Sequence, residues 1–327
     1  MRVFIVGSGA WGTALANVLA DKGHQAVIYG RNPKTVDEIN GQHTNTKYFS
    51  CRINENVRAT NDISECNGFD VVMLGVPSRE CLNVTKQIKP YLSEGTIILN
   101  IAKGFEPESY RLLSDCVSEE LENKYPYAAL LGPSLADEVV LHKHTAVNVC
   151  CRDEDVARKL QRAFSNEYFR VYRNSDLIGC QYGCGLKNII AIASGILYGL
   201  NLGDNAKASL VTRGLAEITR LGVMMGGKKE TFMGLCGMGD LIVTCTSPLS
   251  RNWQAGYQIG TDNSAETFWK TNTKTVEGVD ACKIIKNVAV QKGISMPITE
   301  ELYKVLFEEK KPSEAINDLM TRSLKAE

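Results

Sequence analysis

The run Val3-Phe4-Ile5-Val6-Gly7-Ser8-Gly9-Ala10-Trp11-Gly12 decides the fold. A short apolar segment ends in G-x-G-x-x-G, and Ala10–Asp21 then carries helical spacing, with Leu15 and Leu19 on one stripe and Gly23 as a stop. Three glycines alone are a weak signal; a strand directly before them and a helix directly after make the signal specific. In that setting Gly7 permits a tight turn, Gly9 lets the backbone approach a pyrophosphate, and Gly12 lets the helix pack on the strand. The helix start presents unsatisfied N–H groups and the positive end of its dipole to an anion. The turn therefore reads as a dinucleotide site.

The alternation continues outward from it. Further strands are expected at 25–29, 70–76, 96–102, 128–131 and 145–150, with helices over 107–123 and 153–165. Asn32-Pro33 has the form of an N-cap followed by proline at the first helical position. The continuous apolar run 70–76 suits a strand buried on both faces. The βαβ order predicts an α/β fold, an open, mostly parallel, doubly wound sheet. After Asn174 the pattern turns helical, over 186–202, 206–225, 279–291 and 299–308, with the polar stretch 260–275 read as an exposed loop or marginal helix. The expected division is thus 1–174 for the dinucleotide and 175–327 for an all-helical second domain.

Lys plus Arg and Asp plus Glu each number 37 in 327 residues, so the formal net charge is zero. A duplex nucleic-acid binder carries a basic excess and a disordered chain a high net charge, so both classes are excluded. The hydrophobic share of 44% and charged share of 23% are those of a globular protein with enough chain for two cores. The chain opens directly into a strand, without the pattern of a secretory signal. The apolar tract 189–202 is shorter than the ~18 residues of a membrane span, and Ser194, Gly195, Gly199 and Asn201 interrupt it. The eleven cysteines are scattered, odd in number and without Cys-x-x-Cys. Reduced, buried thiols and a cytoplasmic location are expected, and no metal site, since Cys180, Cys184, His142 and His144 make a poor zinc set.

The second strand ends in Tyr29-Gly30-Arg31-Asn32, without the acid that would accept a ribose 2′-hydroxyl. Nothing there selects NAD over NADP, and Arg31 leans toward a 2′-phosphate. Three more strands end in small or turn residues: Gly75-Val76-Pro77-Ser78, Ala102-Lys103-Gly104 and Gly132-Pro133-Ser134. Lys103 is either a solvated rim residue or a cation aimed at a substrate. In Gly185-Leu186-Lys187-Asn188-Ile189 one lysine opens an otherwise apolar helix, and Ala191 and Ser194, at i+4 and i+7, leave its face open. Such a lysine is a general acid or base candidate. Asp240, after Cys236-Gly237-Met238-Gly239, either caps a helix or orients that lysine. Ser250-Arg251-Asn252 suits a phosphate through the planar guanidinium fork. No histidine has a catalytic setting, so the proton falls to lysine.

In their order these motifs, with Gly203-Asp204-Asn205-Ala206-Lys207 and Val276-Glu277-Gly278, resemble the bacterial-type NAD(P)-dependent glycerol-3-phosphate dehydrogenases from residue 1 to about 310. The resemblance implies a Rossmann-type domain followed by a helical domain of the 6-phosphogluconate-dehydrogenase-like kind. It implies reversible reduction of dihydroxyacetone phosphate to sn-glycerol 3-phosphate, a precursor of phospholipids. Lys187 matches the catalytic lysine and Lys103 the lysine at the cofactor–substrate junction. Gly132, Ser134, Asp240, Ser250, Arg251 and Asn252 match substrate contacts. Ala10, Trp11, Arg31, Ala136 and Glu277 match cofactor contacts, with Arg251 also near the cofactor. NAD or NADP is the implied cofactor, and a homodimer is expected from the apolar helices. The chain departs from the family pattern just before the lysine, where Gln181 replaces an acid and Cys184-Gly185 replaces Gly-Ala. Two alternatives stay open: a two-domain dehydrogenase for a β-hydroxyacid or keto acid, and a non-catalytic dinucleotide sensor.

Overall fold

The computed structural model describes residues 1–107, 109 and 111–324, and the chain divides into two compact units, Met1–Cys180 and Gln181–Glu327. The first unit is built on eight strands: β1 (Arg2–Val6), β2 (Gln25–Tyr29), β3 (Val57–Thr60), β4 (Val71–Leu74), β5 (Ile97–Asn100), β6 (Tyr127–Leu131), β7 (Thr145–Cys150) and β8 (Phe169–Asn174). They form one sheet in the order β3-β2-β1-β4-β5-β6-β7-β8, parallel throughout except between β6 and β7. Its helices are α1 (Ala10–Asp21), α2 (Pro33–Gln42), α3 (Cys81–Ile88), α4 (Leu113–Glu120), α5 (Ala136–Val140) and α6 (Glu154–Phe164).

Alternation along the strands builds a core on each face of the sheet. Val3, Ile5, Val71, Met73 and Leu99 pack with Leu15 and Leu19 of α1 and Phe164 of α6. Phe4, Val6, Val72, Leu74 and Ile98 pack with Val84 and Ile88 of α3 and Val117 of α4. Burial on both faces is what makes these strands read as unbroken apolar runs. The chain winds one way from β1 to β3 and the other way from β4, so the carboxyl ends of β1 and β4 flank the switch point where such sheets hold ligands.

Two strands differ from expectation. β3 and β8 lie at the two edges of the sheet, and Arg58, Arg170 and Arg173 stand exposed along them. Edge strands need only one buried face, so their charge-interrupted sequences conceal them. The helix expected over 107–123 is α4, confined to Leu113–Glu120; positions 108 and 110 lie outside the described residues. Asp153 caps α6, accepting from the N–H groups of Asp155 at 2.9 Å and Val156 at 3.0 Å.

The second unit is helical. After α7 (Leu177–Gly199) come α8 (Gly203–Met224), α9 (Lys229–Met233), α10 (Asp240–Thr246), α11 (Arg251–Asp262), α12 (Glu266–Thr271), α13 (Glu277–Lys292), α14 (Pro297–Phe307) and α15 (Pro312–Met320), with a π-helical turn at Leu235–Gly239. α7 starts at Leu177 rather than 186, so Lys187 stands in mid-helix and does not open it. The glycines that disguise this start are needed for packing: a Cβ on Gly183 would stand 2.3 Å from the Cys236 carbonyl oxygen. The stretch read as a loop over 260–275 contains the end of α11 and all of α12, where buried Phe268 supplies the anchor and Trp269 Nε1 donates to the Leu306 carbonyl at 2.8 Å.

α7 and α11 cross with their backbones in contact. A Cβ on Gly195 or Gly199 of α7 would stand 2.1 or 2.5 Å from a carbonyl oxygen of α11, and one on Gly256 or Gly260 of α11 would stand 1.9 or 2.4 Å from one of α7. The two glycines that interrupt the apolar tract of α7 are therefore its contact surface with α11. Among the described residues no helix is long and apolar enough to cross a membrane.

Candidate active site

In the first unit, four parallel strands deliver their loops to one edge. β1 leads into the glycine turn, β4 into Gly75-Val76-Pro77-Ser78, β5 into Ala102-Lys103-Gly104 and β6 into Gly132-Pro133-Ser134. Gly7 has φ of 121°, and a Cβ there would lie 2.5 Å from the Gly75 carbonyl oxygen; only glycine fits. Gly9 is the N-cap of α1, with no capping side chain and no acid in the first turn. Ala10 and Trp11 begin the helix, and Trp11 Nε1 is buried without a hydrogen-bond partner. Asn45, fully buried, secures the turn from behind by donating to the Ser8 carbonyl at 3.1 Å and to Thr13 Oγ1 at 3.0 Å. This glycine cradle, open at a helix N-terminus, fits a pyrophosphate.

Lys103 is neither stranded nor wholly solvated. Its Nζ donates to the Gly132 carbonyl at 2.8 Å and to Ser134 Oγ at 3.2 Å, and Ser134 Oγ donates in turn to the Gly132 carbonyl at 3.1 Å. Three residues singled out in the sequence thus meet in one cluster. Ala136 is the first residue of α5. Arg31 stands exposed in the loop after β2, beside the Asn32 that caps α2 by accepting from the Lys34 N–H at 3.0 Å.

In the second unit Lys187 is 4% exposed and Asp240 0%. Lys187 Nζ forms an ion pair with Asp240 Oδ1 and donates to Thr244 Oγ1 at 2.7 Å. Thr244 Oγ1 donates to the backbone carbonyl of Asp240 at 2.6 Å, so α10 holds both partners of the lysine one turn apart. Of the two roles open to Asp240 in the sequence, orienting the lysine is the one the geometry realises; Gly239 occupies the N-cap position. Thr244 had no signal beyond its i+4 spacing from Asp240. Burial pushes the neighbouring Cys245 thiol up to about 12, which removes it as a nucleophile.

A second network surrounds the lysine's neighbour. Asn252 Nδ2 donates to Asn188 Oδ1 at 3.0 Å, Asn252 Oδ1 accepts from the Gly278 N–H at 2.9 Å, and Asn188 Nδ2 donates to Glu277 Oε2 at 3.5 Å. α7, α11 and α13 are pinned together there. Ser250 Oγ caps α11, accepting from the Trp253 N–H at 3.3 Å, while Arg251 projects exposed from the first turn. The trio read as a phosphate site therefore divides its duties: the serine and asparagine hold structure and the arginine faces outward.

A doubly wound nucleotide-binding sheet followed by a helical unit with a buried lysine–aspartate pair defines a pyridine-nucleotide-dependent dehydrogenase. Residues 2–157 match the model of the NAD-dependent glycerol-3-phosphate dehydrogenase N-terminus and residues 176–317 that of its C-terminus, and the chain belongs to this family. It is 46% identical over 330 residues to a glycerol-3-phosphate dehydrogenase (NAD(P)+) of Exiguobacterium, covering all of this chain and 97% of that protein. A Staphylococcus saprophyticus enzyme of the same name is 44% identical, with 100% and 99% covered. Among solved structures, glycerol-3-phosphate dehydrogenase of Coxiella burnetii superimposes with a TM-score of 0.92 at 36% identity, covering 98% and 99% of the two chains. The Saccharomyces cerevisiae enzyme gives 0.86 at 26% identity, covering 98% and 99%. A ketopantoate reductase of Ralstonia eutropha, at 17% identity and a TM-score of 0.57, shares the fold alone.

Proposed function

We propose that the enzyme reduces dihydroxyacetone phosphate to sn-glycerol 3-phosphate with NADH or NADPH, and catalyses the reverse oxidation. The product supplies glycerophospholipid synthesis, and the enzyme works in the cytoplasm as a homodimer. The observation that carries the assignment is the buried Lys187–Asp240–Thr244 cluster on a family-wide match of both units.

Gly7, Gly9, Ala10, Trp11 and Gly12 would hold the dinucleotide, with Arg31, Lys103, Ala136, Arg251 and Glu277 as further contacts. The reduced nicotinamide, when bound, supplies the hydride. Lys187 gives a proton from Nζ to the oxygen that becomes the C2 alkoxide, and takes it back in the reverse direction. Asp240 and Thr244 fix the direction of that ammonium, so little reorientation is needed at the moment of transfer. Lys103 sets positive charge where negative charge develops, its own position fixed by Gly132 and Ser134. Arg251 takes the substrate phosphate through its planar fork, aided by an amide hydrogen of Asn252, and Ser250 keeps that helix start in register. Both nucleotides are accepted because no acid stands at the end of β2 to repel a 2′-phosphate.

The deciding experiment is steady-state oxidation of NADH and of NADPH with dihydroxyacetone phosphate, set against pyruvate and ketopantoate. Turnover confined to the phosphorylated ketone is expected. Preference for a keto acid would overturn the assignment, and nucleotide binding without turnover would make the chain a sensor.

A further inference from the structure

Away from Lys187 and Asp240, the second unit contains a cavity of about 870 Å³ between α7, α8, α14 and α15. Neither of those residues lines it, nor does Asn252. Its volume falls within the ~300–1,000 Å³ of small-molecule sites, and like them it has apolar walls with a few polar groups. Ile196 of α7, Leu210 of α8, Leu302 of α14 and Ile316 of α15 supply four of its faces.

The polar groups are unevenly signed. α8 presents Arg213, Glu217 and Arg220 to the cavity at i, i+4 and i+7, one stripe of the helix, and Arg322 follows α15 on the same lining. Arg220 and Arg322 are both exposed at the cavity, and Arg220 also donates to the Ser295 carbonyl on the same lining. Two acids also line the space, and both are engaged. Glu301 pairs with Lys304 at 2.6 Å and with Lys310. Glu217 is buried and accepts from the Ile298 N–H at 2.7 Å and the Thr299 N–H at 3.4 Å, closing the N-terminus of α14. The cavity thus combines an apolar interior with an excess of cationic groups.

We propose that this cavity binds a single-chain amphiphilic anion, an aliphatic carboxylate whose tail lies between α7, α8, α14 and α15 and whose head pairs with the arginines. Tail and head are both required: the walls bury methylene groups, and the arginines provide forked donors that a carboxylate meets with two charged oxygens, an alcohol with one neutral oxygen and an ammonium with none. The proposal is independent of the substrate assigned above, because it rests on a different face of α7.

The test is calorimetric titration of the full chain with sodium decanoate below its micelle concentration, beside decan-1-ol, decyltrimethylammonium and acetate. Saturable binding of one decanoate per chain is expected, at least tenfold tighter than any of the other three. Ile316→Trp, which fills the cavity, should abolish it, and Arg220→Gln or Arg322→Gln should weaken it about tenfold. Circular dichroism and basal NADH oxidation should stay unchanged in the folded variants; Arg322→Gln, at an exposed position, keeps the test open if another variant fails to fold. Equal binding of decan-1-ol, or decanoate binding unaffected by both Ile316→Trp and Arg322→Gln, overturns the proposal. Absence of decanoate binding overturns it as well, and a dimer that Ile316→Trp dissociates in sedimentation would then identify a second copy as what covers this face.

Discussion

Lys187 is legible in the sequence because a charge amid Ile189, Ile190, Ala191 and Ile192 demands a partner. Its partner is harder to find: Asp240 lies 53 positions away, and a helix-start acid has an ordinary use as a cap. Thr244 is invisible, since a threonine inside a short apolar helix has no chemistry until α10 packs against α7. Lys187→Ala should remove measurable turnover while leaving nucleotide affinity nearly unchanged, as checked by NADH fluorescence titration. Thr244→Val should lower kcat about tenfold with little change in the KM for dihydroxyacetone phosphate, because it loosens the aim of Nζ without touching substrate; a KM effect alone would contradict the positioning role. At the nucleotide end, Arg31→Glu should reduce kcat/KM for NADPH at least tenfold and spare NADH, measured with both nucleotides at fixed ketone.

The elements of the first unit were readable where both faces of the sheet are buried and obscure where they are not. β1, β4 and β5 announce themselves by apolarity, whereas β3 and β8 carry arginines because each borders solvent. Helix propensity misplaces the start of α7, since Gly179, Gly183 and Gly185 weaken a helix in isolation, while Gly183 also allows the close approach of the Cys236 carbonyl. The crossing of α7 and α11 makes this quantitative. Gly256→Ala puts a methyl carbon into the Ile192 carbonyl, and two packed helical backbones cannot both give way. A loss of about 2–3 kcal/mol is expected on the overpacking scale, read as a lowered urea midpoint of the helical unit.

At the scale of the whole chain, zero net charge conceals local contrasts, and the one at Glu217 has consequences for stability. Burial pushes its carboxyl up from 4.5 to about 7, although the N–H groups of Ile298 and Thr299, and Arg220, work in the opposite direction. Between these two values the folded chain keeps a proton that the unfolded chain has released, so stability declines as pH rises from 4.5 through 7. At about 1.4 kcal/mol per pH decade the decline is on the order of 3 kcal/mol. Glu217→Gln keeps one acceptor for the α14 N-terminus and removes the titration. Urea unfolding of the variant should therefore differ little from the parent at pH 5 and show the greater stability at pH 8.

Ten of the eleven cysteines are buried, and only Cys51 is partly exposed. Burial holds the Cys66 thiol up near 11 and the Cys245 thiol near 12, so neither offers much thiolate at neutral pH even when a reagent reaches it. The protein consequently contains its own set of opening gauges. A thiol reagent should take up one equivalent per chain at once and the rest only as fast as the surrounding structure breathes. Seven of the eleven fall in Met1–Cys180 and four in Gln181–Glu327, so mapping the labelled peptides would time the loosening of each unit separately, without adding a probe to either.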